Sequence, residues 1–176
     1  MKNNQIVISY QSNYCKMKKV LLILVAVMGL AFAANAQNNA IGVRIGGGQG
    51  YGAEISYQTS LGSPHRLEVD LGYKSYGFGL GSLGLAGLYQ LHFDIPAVQN
   101  LGWYVGAGAR LELYTYSDAT NSNTGFFIGV AGQAGIDYHF NAVPIQLSLD
   151  IRPYFLLIPN TVFKWGDIAL GIRYMF

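Results

Sequence analysis

Ile168-Ala169-Leu170-Gly171-Ile172-Arg173-Tyr174-Met175-Phe176 is the stretch on which the reading of this chain turns. Counting back from Phe176, every second residue is large and apolar: Tyr174, Ile172, Leu170 and Ile168. Between them stand Met175, Arg173, Gly171 and Ala169, which are small, polar or flexible. A period of two places successive side chains on opposite faces, so this segment predicts a strand with two chemically different sides. A soluble strand alternates in the same way but rarely ends a chain on an aromatic residue.

The other end of the chain predicts export. Met17-Lys18-Lys19 precedes an apolar run from Val20 to Ala34, followed by Ala34-Asn35-Ala36. A basic start, a short apolar stretch and a small-x-small site describe a secretory signal peptide. A membrane anchor helix fits less well, because spanning takes about 20 apolar residues and this run is shorter. Residues 1–16 lack periodicity and read as a start-codon overcall or a dispensable extension. The expected division is therefore an N-terminal extension and signal peptide over 1–36, with the signal proper at 17–36, and a single domain over 37–176.

Cleavage after Ala36 leaves 140 residues and removes Lys2, Lys16, Lys18 and Lys19, which moves the formal net charge from +2 to −2. The basic character belongs to the leader, so nothing remains to support nucleic-acid binding. The sole cysteine, Cys15, precedes the apolar run. The remaining domain has no disulfide and no thiol nucleophile, which an oxidising compartment permits.

Eight alternating segments follow, at about 40–46, 52–58, 66–76, 83–93, 103–114, 126–140, 145–152 and 168–176, separated by breaks rich in Gly, Pro, Asn or Ser. Their apolar positions include Val43, Ile55, Leu71, Leu85, Val105, Val130 and Leu149. No stretch carries a 3.6-residue apolar stripe, so the domain reads as all-β. Arg44, Glu54, Glu68, Asp70, Lys74, Arg110, Glu112, Asp137, Asp150, Arg152, Asp167 and Arg173 share the opposite face. Gly42, Gly72, Gly106, Gly108, Gly135 and Gly171 alternate among them.

A lipocalin-like soluble barrel would turn the apolar face inward, and charge alternation alone does not distinguish the two orientations. The export signal and the aromatics decide for apolar outside and polar inside. Tyr57, Phe93, Trp103, Tyr138, Phe140, Tyr174 and Phe176 lie on the apolar face near one end of their strands, as a girdle at a membrane boundary requires. A β-sandwich with an aromatic core is the weaker alternative. Pro64, Pro96 and Pro144 fall in breaks after even-numbered segments, and Pro153 and Pro159 in the last break, so no proline removes a ladder bond from a strand centre. With periplasmic termini, the outer loops are expected at about 47–51, 77–82, 115–125 and 153–166.

The segments Leu88–Pro96, Trp103–Gly108, Leu147–Pro153 and the C-terminus resemble small outer-membrane β-barrel proteins common in Bacteroidetes, similar in architecture to the OmpX and OmpA transmembrane barrels. The resemblance implies an eight-stranded antiparallel transmembrane β-barrel, an up-and-down meander, in the outer membrane of a Gram-negative bacterium. The final alternation with its terminal Phe176 resembles the signal by which the outer-membrane insertion machinery recognises its substrates. Expected partners are that machinery and outer-membrane lipids including lipopolysaccharide, around a monomer. The family carries no shared catalytic motif.

Some eight-stranded outer-membrane barrels modify lipid A with His and Ser at the outer rim. Here His65, His92 and His139 fall at or beside the periplasmic turns, the wrong end for that chemistry. Gly46-Gly47-Gly48-Gln49-Gly50 lacks the Lys-Ser/Thr and helix of a phosphate loop and reads as a turn. No spacing suggests a metal site. The expectation is no catalytic, cofactor or metal residues. Inward charges of both signs suggest a network that closes a lumen only wide enough for side chains, with Arg110, Arg152 and Arg173 facing acids such as Glu112, Asp150 and Glu68. The function expected is structural or adhesive; a narrow small-solute pore is the alternative, and a lipid-modifying enzyme the third class.

Overall fold

The structure is a computed structural model that describes residues 39–48, 50–77, 79–117, 122–158 and 161–176. The expected signal peptide and extension, residues 1–36, lie outside the described residues. Eight strands follow in order: β1 (Asn39–Gly47), β2 (Tyr51–Gly62), β3 (His65–Gly77), β4 (Leu80–Asp94), β5 (Leu101–Ser117), β6 (Ser122–His139), β7 (Ile145–Ile158) and β8 (Val162–Met175). Each pairs with its sequence neighbours in a closed barrel, and β1 pairs antiparallel with β8 through Val43 and Ile172. Asn39 and Phe176 exchange both backbone N–H···O bonds, at 3.1 and 2.9 Å, one step beyond the end of β8. Closure leaves no free sheet edge. The fold is all-β, and no helix is present among the described residues.

The polarity is inverted relative to a water-soluble barrel. Val43, Ile55, Leu71, Leu85, Val130, Leu149, Leu170 and Ile172 point outward and are exposed, whereas all twelve charged residues assigned to the opposite face are buried. The alternation read from sequence is thus correct in parity on every strand, and Arg66 joins the buried set.

The strand ends differ from expectation on the side away from the termini. There β5 and β6 run on to Ser117 and Ser122, and β7 and β8 to Ile158 and Val162. The connections at that end shrink to residues 48–50, 78–79, 118–121 and 159–161. Pro153, expected in a loop, lies inside β7. It is tolerated because pairing breaks around it: the β7–β8 register shifts between Arg152 and Tyr154, and the β6 ladder skips from Ala131 to Ala134. A proline has no N–H to give a ladder and is accommodated at such a bulge. Opposite it, Gly166 adopts a positive φ of 76°, and the inward parity of β8 changes from Lys164 to Asp167.

The longer strands reveal a second aromatic belt. At the end holding the termini, Phe93 stacks on Trp103 (4.9 Å between centroids) and Tyr138 meets Phe140 edge-on at 5.0 Å. At the opposite end, Phe155 lies 4.6 Å from Phe163, which meets Trp165 at 5.1 Å. Phe155, Phe163 and Trp165 escaped notice as a belt because they sat in the expected outer loop. On β6 the belts are marked by Tyr138 and Phe126. At about 3.3 Å rise and a tilt near 40°, that separation is roughly 30 Å along the axis, slightly more than the ~25 Å apolar band of membrane barrels.

Candidate functional site

The lumen concentrates the chain's chemistry. Six basic side chains (Arg44, Arg66, Lys74, Arg110, Arg152, Arg173) and seven acids (Glu54, Glu68, Asp70, Glu112, Asp137, Asp150, Asp167) are buried there. Glu68 on β3 is the hub. It accepts from Arg152 Nη2 at 2.7 Å, Arg173 Nη2 at 3.3 Å, and the amides of Gln58, Gln90 and Gln133 at 2.5, 3.0 and 3.1 Å. Arg152 also reaches Asp70 at 2.5 Å and Glu54 at 3.1 Å, so one guanidinium ties three carboxylates together. Arg173 further donates to Ser56 and Ser148, at 2.9 and 2.7 Å.

Arg44 holds Asp150 through Nε and Nη2 and Glu54 through Nη1. Asp150, expected beside Arg110, Arg152 or Arg173, therefore belongs to Arg44, with the Tyr104 hydroxyl donating to its other oxygen at 3.3 Å. Register decides this pairing: Arg44 stands opposite Gly171 of β8, and Asp150 opposite Ala169, both too small to separate them. Arg110 pairs with Glu112 at 2.5 Å, as anticipated, and Lys74 pairs with Asp167. Each charge is desolvated and each has an opposite partner, the condition under which buried ions are tolerated.

Beside the ion pairs, and further from the termini, the filling is apolar and aromatic. Ala86, Leu88, Ala131, Tyr154 and Leu156 form an inward cluster with Phe127 packed against it. Above them the Lys164 ammonium donates to the Tyr114 hydroxyl at 3.0 Å and sits 5.1 Å from the Tyr114 ring and 5.8 Å from those of Tyr76 and Tyr154. A cation against several ring faces is held by their quadrupoles. Leu88 stands among polar neighbours on an inward parity, and Tyr154, Leu156 and Lys164 were assigned to a loop, so sequence reasoning missed this layer.

The histidines gather where expected, at the end with the termini. His92 Nε2 lies 2.8 Å from Asp137 Oδ1 and its ring stacks on His139 at 6.0 Å. Asp137 also accepts from Arg66 at 2.8 Å and Gln146 at 3.0 Å. Arg66, which shares the inward parity of Glu68 and Asp70 but was not counted among the inward charges, stacks over the Tyr104 ring at 4.6 Å. His65 opens β3 and hydrogen-bonds Tyr89 on the outer surface, away from the other two. Of the glycine run expected as a turn, Gly46 and Gly47 end β1, and beyond them Gly48 N–H donates to the carbonyl of Gly50, whose φ is 142°. No cluster of three metal-ligating side chains occurs among the described residues.

A closed eight-stranded meander, apolar outside and ionic within, is the architecture of outer-membrane barrels. No protein-family model and no curated protein sequence matches the chain. Solved structures do match it in fold. The N-terminal β-barrel domain of Pseudomonas aeruginosa OprF aligns with a TM-score of 0.63 at 19% identity, covering 81% of this chain and 100% of that one. Neisserial surface protein A aligns at 0.59 and 18% identity, over 80% of this chain and 95% of that one. The Yersinia pestis outer-membrane protein Ail, solved in a phospholipid bilayer nanodisc, aligns at 0.51 and 14% identity, over 80% and 99%.

Proposed function

We propose that this chain is an integral outer-membrane protein with a sealed lumen, acting structurally or through surface interactions and without catalysis. The observation that carries the sealed reading is the position of Arg152. It is fully buried and binds carboxylates on β2 and β3 from β7, so it bridges the lumen where an ion would pass. The apolar cluster around Leu88 fills the lumen beside it, and the Lys164–tyrosine cover lies further from the termini, where Lys164 pairs with Tyr154. The outer-membrane location is supported by the signal-like segment at 17–36, the exposed apolar wall between two aromatic belts, and the likeness in fold to OprF, NspA and Ail. We place the chain with small barrels of the OmpX and OmpA type, including the Bacteroidetes proteins its segments resemble. It is taken to be a monomer that meets the insertion machinery through β8 and Phe176.

The non-enzymatic reading is supported by the histidine cluster. Both oxygens of Asp137 are engaged, by His92 on one side and by Arg66 and Gln146 on the other, which suits a structural seal at the inner mouth. Single-channel recording of the refolded protein in a planar bilayer tests the main reading. Silence at moderate voltage is expected, and steady conductance steps overturn it in favour of a small-solute pore. An altered lipid A mass on deletion of the gene would instead indicate the enzyme.

A further inference from the structure

The outer wall is not uniformly convex. A groove of about 670 Å³ crosses it, floored by Ala107, Gly132 and Pro153 and walled by Phe155, Phe163 and Trp165. Its floor lies at the break in the β6–β7 ladder, where the pairing skips from Ala131 to Ala134 past Pro153. A Cβ on Gly132 would meet only Pro153 Cγ at 3.7 Å and the carbonyl of Gly106 at 3.9 Å, ordinary contacts, and the residue has no positive φ. On the lumen side, by contrast, a Cβ on Gly42, Gly108 or Gly129 would strike the backbone of the next strand. Gly132 thus sits at the bulge that admits Pro153, and its missing side chain leaves the wall open there.

We propose that this groove holds one acyl chain of an outer-leaflet lipid. The inference rests on the reading that the barrel spans a membrane. The groove is continuous with the apolar wall that would face the bilayer. Its floor at Gly132 lies midway along β6 between Tyr138 and Phe126, near the bilayer centre, and its wall continues through Phe155 and Phe163 toward the end away from the termini. On that reading the groove lies in the outer half of the bilayer. The lining is far smaller than the ~20–30 residues a side of a stable protein interface, which argues against a second copy. Every lysine and arginine of residues 37–176 (44, 66, 74, 110, 152, 164 and 173) points into the lumen. No outward cation is left to hold a lipid phosphate, so the recognition is by shape, through the chain.

The test uses the refolded barrel in phosphatidylcholine vesicles doped with phosphatidylcholine bearing a diazirine on one acyl chain. After illumination, mass spectrometry of peptides should find several-fold more label on those containing Gly132, Pro153 and Trp165 than on those containing Val43, Ile55 and Leu170. Gly132→Leu should fill the groove and abolish the excess; Ala107→Leu does the same if the first variant fails to fold. Even labelling around the wall, or an excess that survives both substitutions, overturns the groove while leaving the membrane reading intact. Protection of these peptides from the lipid label, with two barrels joined through them by a bifunctional cross-linker, overturns it in favour of a second copy. Absence of label from the whole wall overturns both.

Discussion

Arg152 of β7 and Glu68 of β3 join across the full width of the lumen, Nη2 to Oε1 at 2.7 Å, four strands apart in either direction around the ring. The bond is therefore a tie between opposite walls and not a rung of the ladder. Glu68→Ala removes the shared acceptor of Arg152, Arg173, Gln58, Gln90 and Gln133. Breaking one side of a buried ion pair costs about 3–5 kcal/mol, less where water enters. Urea titration of the vesicle-reconstituted barrel should show a loss of that order, and a smaller one for Glu68→Gln. A change below ~1 kcal/mol for Glu68→Ala would mean the lumen is already wet at this point.

The outward assignment gives a second expectation, from adjacent residues. Leu149 is 48% exposed on the outer wall, while Ser148 is buried and accepts from Arg173 at 2.7 Å. An arginine on the lipid face near the midplane costs about 2–4 kcal/mol. Ser148→Ala should cost less, roughly 1.5 kcal/mol, because Arg173 keeps Ser56 and Glu68. If the outer wall met water, Leu149→Arg would stay within about 0.5 kcal/mol. Unfolding in vesicles ranks the two variants, and a harmless Leu149→Arg rules out the membrane-facing wall.

Legibility followed the physics of alternation. Period two is a local property, so the twelve charged residues assigned from Arg44 to Arg173 fall on one face as expected, while the choice of that face as the inner one came from the export signal and the aromatics. Two things were not local. The Arg44–Asp150 pair depends on how β1, β7 and β8 are staggered, and stagger is fixed only when the barrel closes. The outer half of β7 and β8 was obscured by Pro153 and by the parity change at Gly166, which together look like the end of a strand. The cost of that misreading was the second aromatic belt and the Lys164 cover, both built from residues 154–165.

Closure at the chain's end makes a third expectation. Phe176 contributes its N–H and carbonyl to Asn39 and its ring lies 6.5 Å from Tyr174 in the belt near the termini. Phe176→Ser should lower the amount of folded barrel in the outer membrane of expressing cells, by the resemblance of this residue to an insertion signal. The protein that does fold should still migrate differently on SDS gels before and after boiling, since the hydrogen-bond ring stays closed. Wild-type levels for Phe176→Ser in fractionated membranes would argue against the signal role.

Gly87 and Gly108 provide the last test, because they sit one register step apart on the β4–β5 ladder, Gly87 opposite Ala109 and Gly108 opposite Leu88, with opposite needs. A Cβ on Gly87 points to the outer wall and meets nothing within 4 Å. A Cβ on Gly108 points inward onto the backbone of Gly87 and Leu88, which cannot rotate away as a side chain could. Gly87→Ala should be neutral or stabilise the barrel by about 0.4–1 kcal/mol, through the lost freedom of the unfolded chain. Gly108→Ala should destabilise it by about 1–3 kcal/mol, the usual cost of forcing extra volume into a filled interior. The comparison isolates lumen packing from strand propensity, since both changes are the same and both sit in strands. Equal effects in a urea titration would mean that β4 and β5 separate more easily than their register suggests, and that the lumen is looser than a sealed barrel requires.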